Sequence, residues 1–340
     1  MRIFSSSGVT PGRATVTGVL VIGALVGCLA LSGSVETARA DSIQQIIEQV
    51  GPEYAEAYAS PFIHAFGPNQ NANLFSTANI PYTGLTFGIG VKVMGTKLNE
   101  EDKTFQKVIR IDDLGDFDPN LSGTSGTVVM SGPTIFGDTE TDGRFDLYAN
   151  GVLVGTFDGI PGFWDTSWVP LATPEVFIGG IAGLKFTLRY FPSVNMGDFG
   201  KTKYLGYGLQ WSASGVLKDL PIDLMAGFFL TSLDVENTQG LGQDNLFESS
   251  ANSYFLAVSK SWPSLTLYGG FSIEDSEMKV AYYYEDEDYP ALTQDVSFTV
   301  EGRQKNRFTI GLTLDILLDL NVEAGFGDMS TYSAGLMFGF

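Results

Sequence analysis

From residue 176 to the C-terminus, apolar side chains alternate with small or polar ones. In residues 176–190, Ile178, Ala182, Leu184, Phe186, Leu188 and Tyr190 fall on one side, and Gly179, Gly183, Lys185, Thr187 and Arg189 on the other. The period is two, which belongs to a β-strand and not to a helix. Residues 203–217 repeat the pattern, with Leu205, Tyr207, Leu209 and Trp211 opposed by Gly206, Gly208, Gln210 and Ser212. Further strands are expected at 223–235, 253–262, 265–273 with a continuation over 278–284, 296–316, 320–328 and 332–340. The last of these sets Tyr332, Ala334, Leu336, Phe338 and Phe340 against Ser333, Gly335, Met337 and Gly339, so the chain closes on an aromatic ring.

A soluble sandwich also alternates, so the connections must decide. Counted back from Phe340, tight breaks at 218–221, 263–264 and 317–319 take turns with mostly longer, polar ones at 191–200, 236–252 and 285–295 and a shorter one near Met329. Short turns at one end and long loops at the other characterise a membrane barrel. Upstream, residues 84–94 form a clean strand, with Leu85, Phe87, Ile89, Val91 and Val93 facing away from Gly88, Gly90 and Lys92. Residues 105–111 read as its return, and Asn150-Gly151 marks a two-residue hairpin that joins the wall or stands beside it. The remainder of 112–175 lacks a clear period. The predicted fold is all-β: a transmembrane antiparallel up-and-down β-barrel of about twelve strands, within a range of ten to fourteen.

The N-terminal part has another character. Ile43, Ile46, Ile47 and Val50 recur at helical spacing, and residues 61–81 are rich in Asn and small side chains without a period. A barrel of this size leaves a lumen that its own side chains do not fill. Residues 41–82 are therefore expected to form a short helix and a plug, with His64, Asn69, Asn71 and Asn73 as plug residues. A helix and linker lying in the periplasm is the other reading. The first forty residues have the form of a signal peptide: Arg2 and Arg13 precede an apolar run, and Ala38-Arg39-Ala40 suits cleavage before Asp41. Leu25-Val26-Gly27-Cys28 also resembles a lipoprotein processing site. The expected division is thus 1–40 leader, 41–82 helix and plug, and 83–340 barrel.

Removing the leader takes away the single cysteine, and with it disulfide and thiolate chemistry. Subtracting the leader's three basic and one acidic residue from 19 and 39 leaves 16 and 38, a net charge of −22. That balance excludes nucleic acid as a partner. Acidic runs such as Glu285-Asp286-Glu287-Asp288 belong in solvated loops.

Phe66-Gly67-Pro68-Asn69-Gln70-Asn71-Ala72-Asn73-Leu74-Phe75 and the closing Gly335 to Phe340 resemble a family of bacterial outer-membrane barrels with an N-terminal helix and no assigned activity. Leu188-Arg189-Tyr190-Phe191-Pro192 and Leu265-Thr266-Leu267-Tyr268-Gly269-Gly270 fit the same resemblance. It implies an outer-membrane location and a barrel, with Gly335, Phe338 and Phe340 as the assembly signal read by the barrel-assembly machinery. A looser likeness is to the long-chain fatty-acid transporter barrels, whose N-terminal helices occupy the lumen.

Candidate chemistry is sparse. His64 is the sole histidine, and Gly123-Thr124-Ser125-Gly126 lacks the spacing of a nucleophile elbow, so no enzyme is expected. The lack of Cys and His excludes the usual zinc sites, and no cofactor is expected. Asp112, Asp113, Asp116, Asp118 and Asn120 offer oxygen ligands for calcium, but not in EF-hand order, and read first as solvated acids. Lys92, Lys185 and Arg189 project inward, as do Asp315, Asn321 and Glu323. Because first and last strands are neighbours on a closed cylinder, Lys92 is expected near the strand of Glu323. These six form either a charged pathway or ion pairs that fix the plug. Inward glycines at 88, 90, 179, 183, 206, 208 and 311 suggest room for packed chain, and Tyr190, Tyr204, Trp211, Trp262, Tyr282 and Tyr284 suit the headgroup belts. The function expected is a passive channel or transporter for a small hydrophobic ligand, gated by the plug and surrounded by outer-membrane lipid. The rival is a non-transporting barrel whose acidic loops bind a partner or surface.

Overall fold

A computed structural model describes residues 37–114, 122–195, 201–217, 219–236, 245–284 and 294–339. Helix α1 (Thr37–Gln70) leads into an extended segment and then, among the described residues, into fifteen strands. These are β1 (Thr86–Lys97), β2 (Thr104–Ile111), β3 (Gly126–Pro133), β4 (Arg144–Ala149), β5 (Val152–Asp158), β6 (Trp168–Ile181), β7 (Leu184–Asn195) and β8 (Lys201–Ser212). They continue with β9 (Asp223–Glu236), β10 (Asn245–Trp262), β11 (Leu265–Tyr284), β12 (Gln294–Glu301), β13 (Asn306–Asp315), β14 (Asp319–Phe326) and β15 (Ser330–Gly339). As described, α1 runs across Ala40 and Asp41, where cleavage is expected.

All wall pairings are antiparallel, and the sheet order β10-β9-β8-β7-β6-β1-β15-β14-β13-β11 closes because β10 also pairs with β11. Strands β12 and β13 both lie on β11, with Glu277 opposite Glu301 and Ile273 opposite Asn306. Four steps on β11 face five on its partner, so β12 and β13 are one strand broken by a bulge. The wall therefore has ten strands, at the lower end of the expected range. Two features produce the difference from twelve. Residues 176–190 are not one strand: Ala182 (φ 53°) and Gly183 (φ 75°) form a tight turn between β6 and β7. Positive φ at both central residues is the geometry whose twist matches paired strands, and the alternation runs through the turn unchanged. Conversely, β2 does not return along β1. With β3, β4 and β5 it forms a separate four-stranded sheet, which includes the Asn150-Gly151 hairpin.

This second sheet is a cap. Lys97 pairs with Trp168, and β7, β9 and β11 end at the same rim in the longer connections. Its inner face carries Val128, Met130 and Leu147, all buried, and α1 covers it. The Tyr54 ring stacks on Phe145 at 4.7 Å and meets Phe105 edge-on at 5.2 Å. The Tyr58 hydroxyl donates to the Pro161 carbonyl at 3.1 Å. This apolar core continues into the upper barrel through Leu233, Val235, Met278, Val280 and Val300.

Outside, the wall is apolar. Phe87, Ile89, Val91 and Val93 of the first strand, Leu85 just before it, and Leu320, Val322, Leu336 and Phe338 of the last two strands are exposed at period two. Exposed apolar rows on every side of a closed cylinder define a lipid-facing belt. Trp168 and Tyr332 meet at 5.6 Å on its loop-end border, and Tyr190, Trp211 and Trp262 are also exposed. Tyr204 instead points inward, fully buried and stacked on Phe191 at 5.1 Å. It shares the parity of Gly206 and Gln210, which face the lumen. Tyr282 and Tyr284 lie outside the described side chains.

Candidate functional site in the barrel lumen

Residues 71–82 run through the lumen from the loop end to the turn end. The N–H groups of Asn71 and Ala72 close on the Gly67 and Asn69 carbonyls and that of Asn79 on Thr77; an irregular chain offers its other N–H and C=O groups few partners of its own, and they must nevertheless be satisfied. The wall supplies them. Arg189 of β7 donates to the carbonyls of Ala72, at 2.9 Å, and Asn73. Gln210 donates to the Leu74 carbonyl at 2.7 Å, Thr313 to Ser76 at 2.8 Å and Ser212 to Ala78 at 2.6 Å. The N–H of Asn73 donates to Glu323 at 2.9 Å, and that of Ala78 to Ser259 at 2.9 Å.

Asn73 is the hub of this arrangement. It sits in the left-handed region (φ 55°), which Asn tolerates better than most residues. Its side-chain carbonyl accepts from Lys92 at 2.9 Å and from Asn321 at 2.9 Å, while its amide nitrogen donates to Ser333 at 3.0 Å. Lys92 also donates to Asn321 at 3.1 Å and stands 4.0 Å from Glu175, whose other oxygen accepts from Arg189 at 2.8 Å. Strands β1, β7, β14 and β15 thereby bond one plug residue, and β6 joins them through Glu175. Gly335 makes the approach feasible, because a Cβ there would meet Asn321 and the Lys92 stem.

A second anchor holds the end of α1. Arg307 donates to the Pro68 carbonyl at 2.9 Å and to Glu274 at 2.6 Å, and Thr331 accepts from it at 3.0 Å. A cation on the last carbonyls of a helix completes groups that have no intrahelical partner. Asn69 donates to the Val169 carbonyl at 2.6 Å and accepts from Thr96 at 2.8 Å, and Asn71 donates to the Asn252 carbonyl at 3.1 Å. Toward the turn end the plug becomes apolar: Leu74, Phe75, Ala78 and Ile80 pack with Met225, Phe229, Phe255 and Tyr268. A Cβ at Gly270 would strike the Phe75 ring.

Of the residues singled out from sequence, Lys92, Arg189, Asn321, Glu323, Asn69, Asn71 and Asn73 come together in this network. Lys92 and Glu323 do not touch, and Asn73 bridges them. Lys185 lies toward the turn end, its ammonium 5.0 Å from the centre of the Phe177 ring. Asp315 is exposed at the turn end, opposite Asp319. His64 sits at the barrel mouth beside Asp102 and Arg303. Burial, reinforced by the Arg303 charge and opposed by Asp102, lowers its pKa from the ordinary 6.5. Phe338 belongs to the lipid-facing belt, and Phe340 lies outside the described residues, as do 1–36, Asp116, Asp118 and Asn120, and the run 285–288. Sequence reading did not single out Glu175, Gln210, Glu274 and Arg307 as site residues, although all four share the inward parity of their strands. Most of the inward glycines make room for rings of the wall, with Phe229 over Gly206 and Gly208, Tyr268 over Gly311 and Phe177 over Gly88.

A closed ten-stranded sheet with a lipid-facing exterior and a polypeptide segment through its lumen defines a plugged transmembrane β-barrel. The chain belongs to the family of unknown function DUF6588, whose model matches residues 19–340. Among solved structures, it is similar to OprB of Pseudomonas putida at 10% identity, over 76% of this chain and 94% of that one, with a TM-score of 0.20. The translocator domain of the autotransporter NalP from Neisseria meningitidis matches at 11% identity, over 90% and 99%, with a TM-score of 0.22. The beta domain of the Bordetella autotransporter BrkA matches at 12%, over 75% and 100%, with a TM-score of 0.25. No curated protein matches the chain. The barrel fold rests on the strand pairing itself.

Proposed function

We propose that this protein is a bacterial outer-membrane channel or transporter for a small, hydrophobic solute, held shut by its own N-terminal segment. The observation that carries this reading is the Asn73 hub. Burying Lys92, Glu175, Arg189 and Glu323 is costly, and a purely structural plug would be held as well or better by apolar packing. A polar latch of matched charges has a further use: it holds one position and can be exchanged for another. The apolar packing of residues 74–80 against β9, β10 and β11 would then be the surface that a hydrophobic solute takes over.

The location is supported by the lipid-facing belt, and the ordered C-terminal strand is the element that the barrel-assembly machinery would engage. Planar-bilayer conductance tests the gate. The full chain is expected to be closed, and the chain lacking residues 41–81 open. Absence of current in both forms would sink the channel reading. A second reading is favoured by the cap: a barrel that presents a surface for a partner, with Val152, Leu153 and Val154 exposed along β5. Under that reading, deleting 104–158 abolishes partner binding and leaves conductance at zero.

A further inference from the structure

The direction in which the plug crosses the lumen has a consequence for the other end of the chain. Gln70 accepts from Ser249 of β10, Asn71 donates to the Asn252 carbonyl, Phe75 packs on Phe255 at 5.2 Å and the Ala78 N–H donates to Ser259. Partner numbers rise together with plug numbers, and β10 runs from the loop end toward its turn at residues 263–264. The segment therefore enters at the capped loop end and leaves at the turn end. There the Tyr82 hydroxyl donates to the Ser212 carbonyl at 3.0 Å and the Tyr82 carbonyl accepts from Ala182 at 3.0 Å, after which β1 begins. Helix α1 thus stands on the loop side, whereas β15 ends on the turn side, where Gly339 pairs with Gly88.

A helix bearing Glu53 and Glu56 does not reach that side through lipid. The lumen is the protein route, and its wall holds a chain by main-chain atoms: the carbonyls of Ala72, Asn73, Leu74, Ser76 and Ala78 are all taken by wall side chains. Contacts of that kind accept an extended polypeptide with little regard to its side chains. At the far side α1 meets what it completes, since the inner face of the cap is bare without Tyr54, Tyr58 and Phe62.

We propose that the barrel exports its own N-terminal segment: residues preceding Asn71 pass through the lumen in extended form, and their folding into α1 against the cap retains them on the outer surface. This rests on the outer-membrane placement proposed above but not on gating. Absent conductance leaves it standing, and its failure leaves a gated channel possible to measure.

Single cysteines in a Cys28→Ser background test it. With a membrane-impermeant maleimide on intact cells, Glu53→Cys, at a position whose side chain is 45% exposed, is expected to label, and Ser264→Cys at a turn only after permeabilisation. Protection of Glu53→Cys in intact cells, or labelling of Ser264→Cys there, overturns the proposal. The route is tested by placing a disulfide-closed loop followed by an antibody epitope ahead of Ile43 in the full chain. Antibody binding to intact cells is expected to be lost when the loop is oxidised and retained when it is kept reduced. Equal binding under both conditions overturns passage through the lumen.

Discussion

The side-chain carbonyl of Asn73 accepts the Lys92 ammonium at 2.9 Å, inside a barrel where Lys92 is only 2% exposed. One residue of an irregular segment thereby neutralises the hydrogen-bonding demand of a buried cation on the first strand. Glu175, 4.0 Å away, balances its charge.

Removing that cation leaves Asn73 underused and Glu175 with Arg189 alone. Breaking a buried charged network by one partner costs about 3–5 kcal/mol. Lys92→Met is expected to lower the urea midpoint of the detergent-folded barrel accordingly. In a double-mutant cycle with Asn73→Ala, the two losses are expected to be less than additive by about 0.5–3 kcal/mol. Additive losses would show that the pair does not act as a unit.

Gly270 and Gly269 differ in whether an added side chain reaches the plug. A Cβ at Gly270 meets the Phe75 ring as well as the Leu256 carbonyl of the wall, whereas one at Gly269 meets only a wall carbonyl, that of Thr309. Gly270→Val is expected to loosen residues 74–80 and to raise protease cleavage there, and bilayer conductance with it. Gly269→Val, on the lipid-facing side, is expected to leave both as in the parent.

Tyr54 of α1 is 1% exposed and packs between Phe105 and Phe145 of the cap. Truncating a buried aromatic to Ala costs about 3–5 kcal/mol. Tyr54→Ala is expected to make 104–158 sensitive to protease added to intact cells while the barrel remains folded. An unchanged digestion pattern would mean that the cap stands without the helix.

His64 gives the mouth a pH dependence. Its pKa is lowered in the folded protein, so between that value and 6.5 the undocked form binds the extra proton. The stability that neutral His64 contributes is therefore present above 6.5 and lost as pH falls through the folded pKa. Proteolysis within α1 is expected to increase from pH 7.5 to 5, and His64→Gln to flatten that profile. A profile equally steep in His64→Gln would place the titration elsewhere.

The barrel is legible in the order of residues, because period-two alternation with small inward residues is a local property that each strand displays alone. Which end carries the turns is legible too, since connection lengths are written along the chain. Inward parity picked out Lys92, Arg189, Asn321 and Glu323, and composition singled out Asn69, Asn71 and Asn73. Three matters were decided only by tertiary structure. The turn at Ala182-Gly183 preserves alternation, so periodicity could not see it, and ten wall strands result. The strands β2 to β5 have faces too short to declare which sheet they join, and their packing on Tyr54 and Tyr58 made them a cap. The partners of Asn73 come from four strands spread over more than two hundred residues of sequence, and only closure of the sheet brings β1 against β15 and so sets Lys92 and Glu323 around one residue.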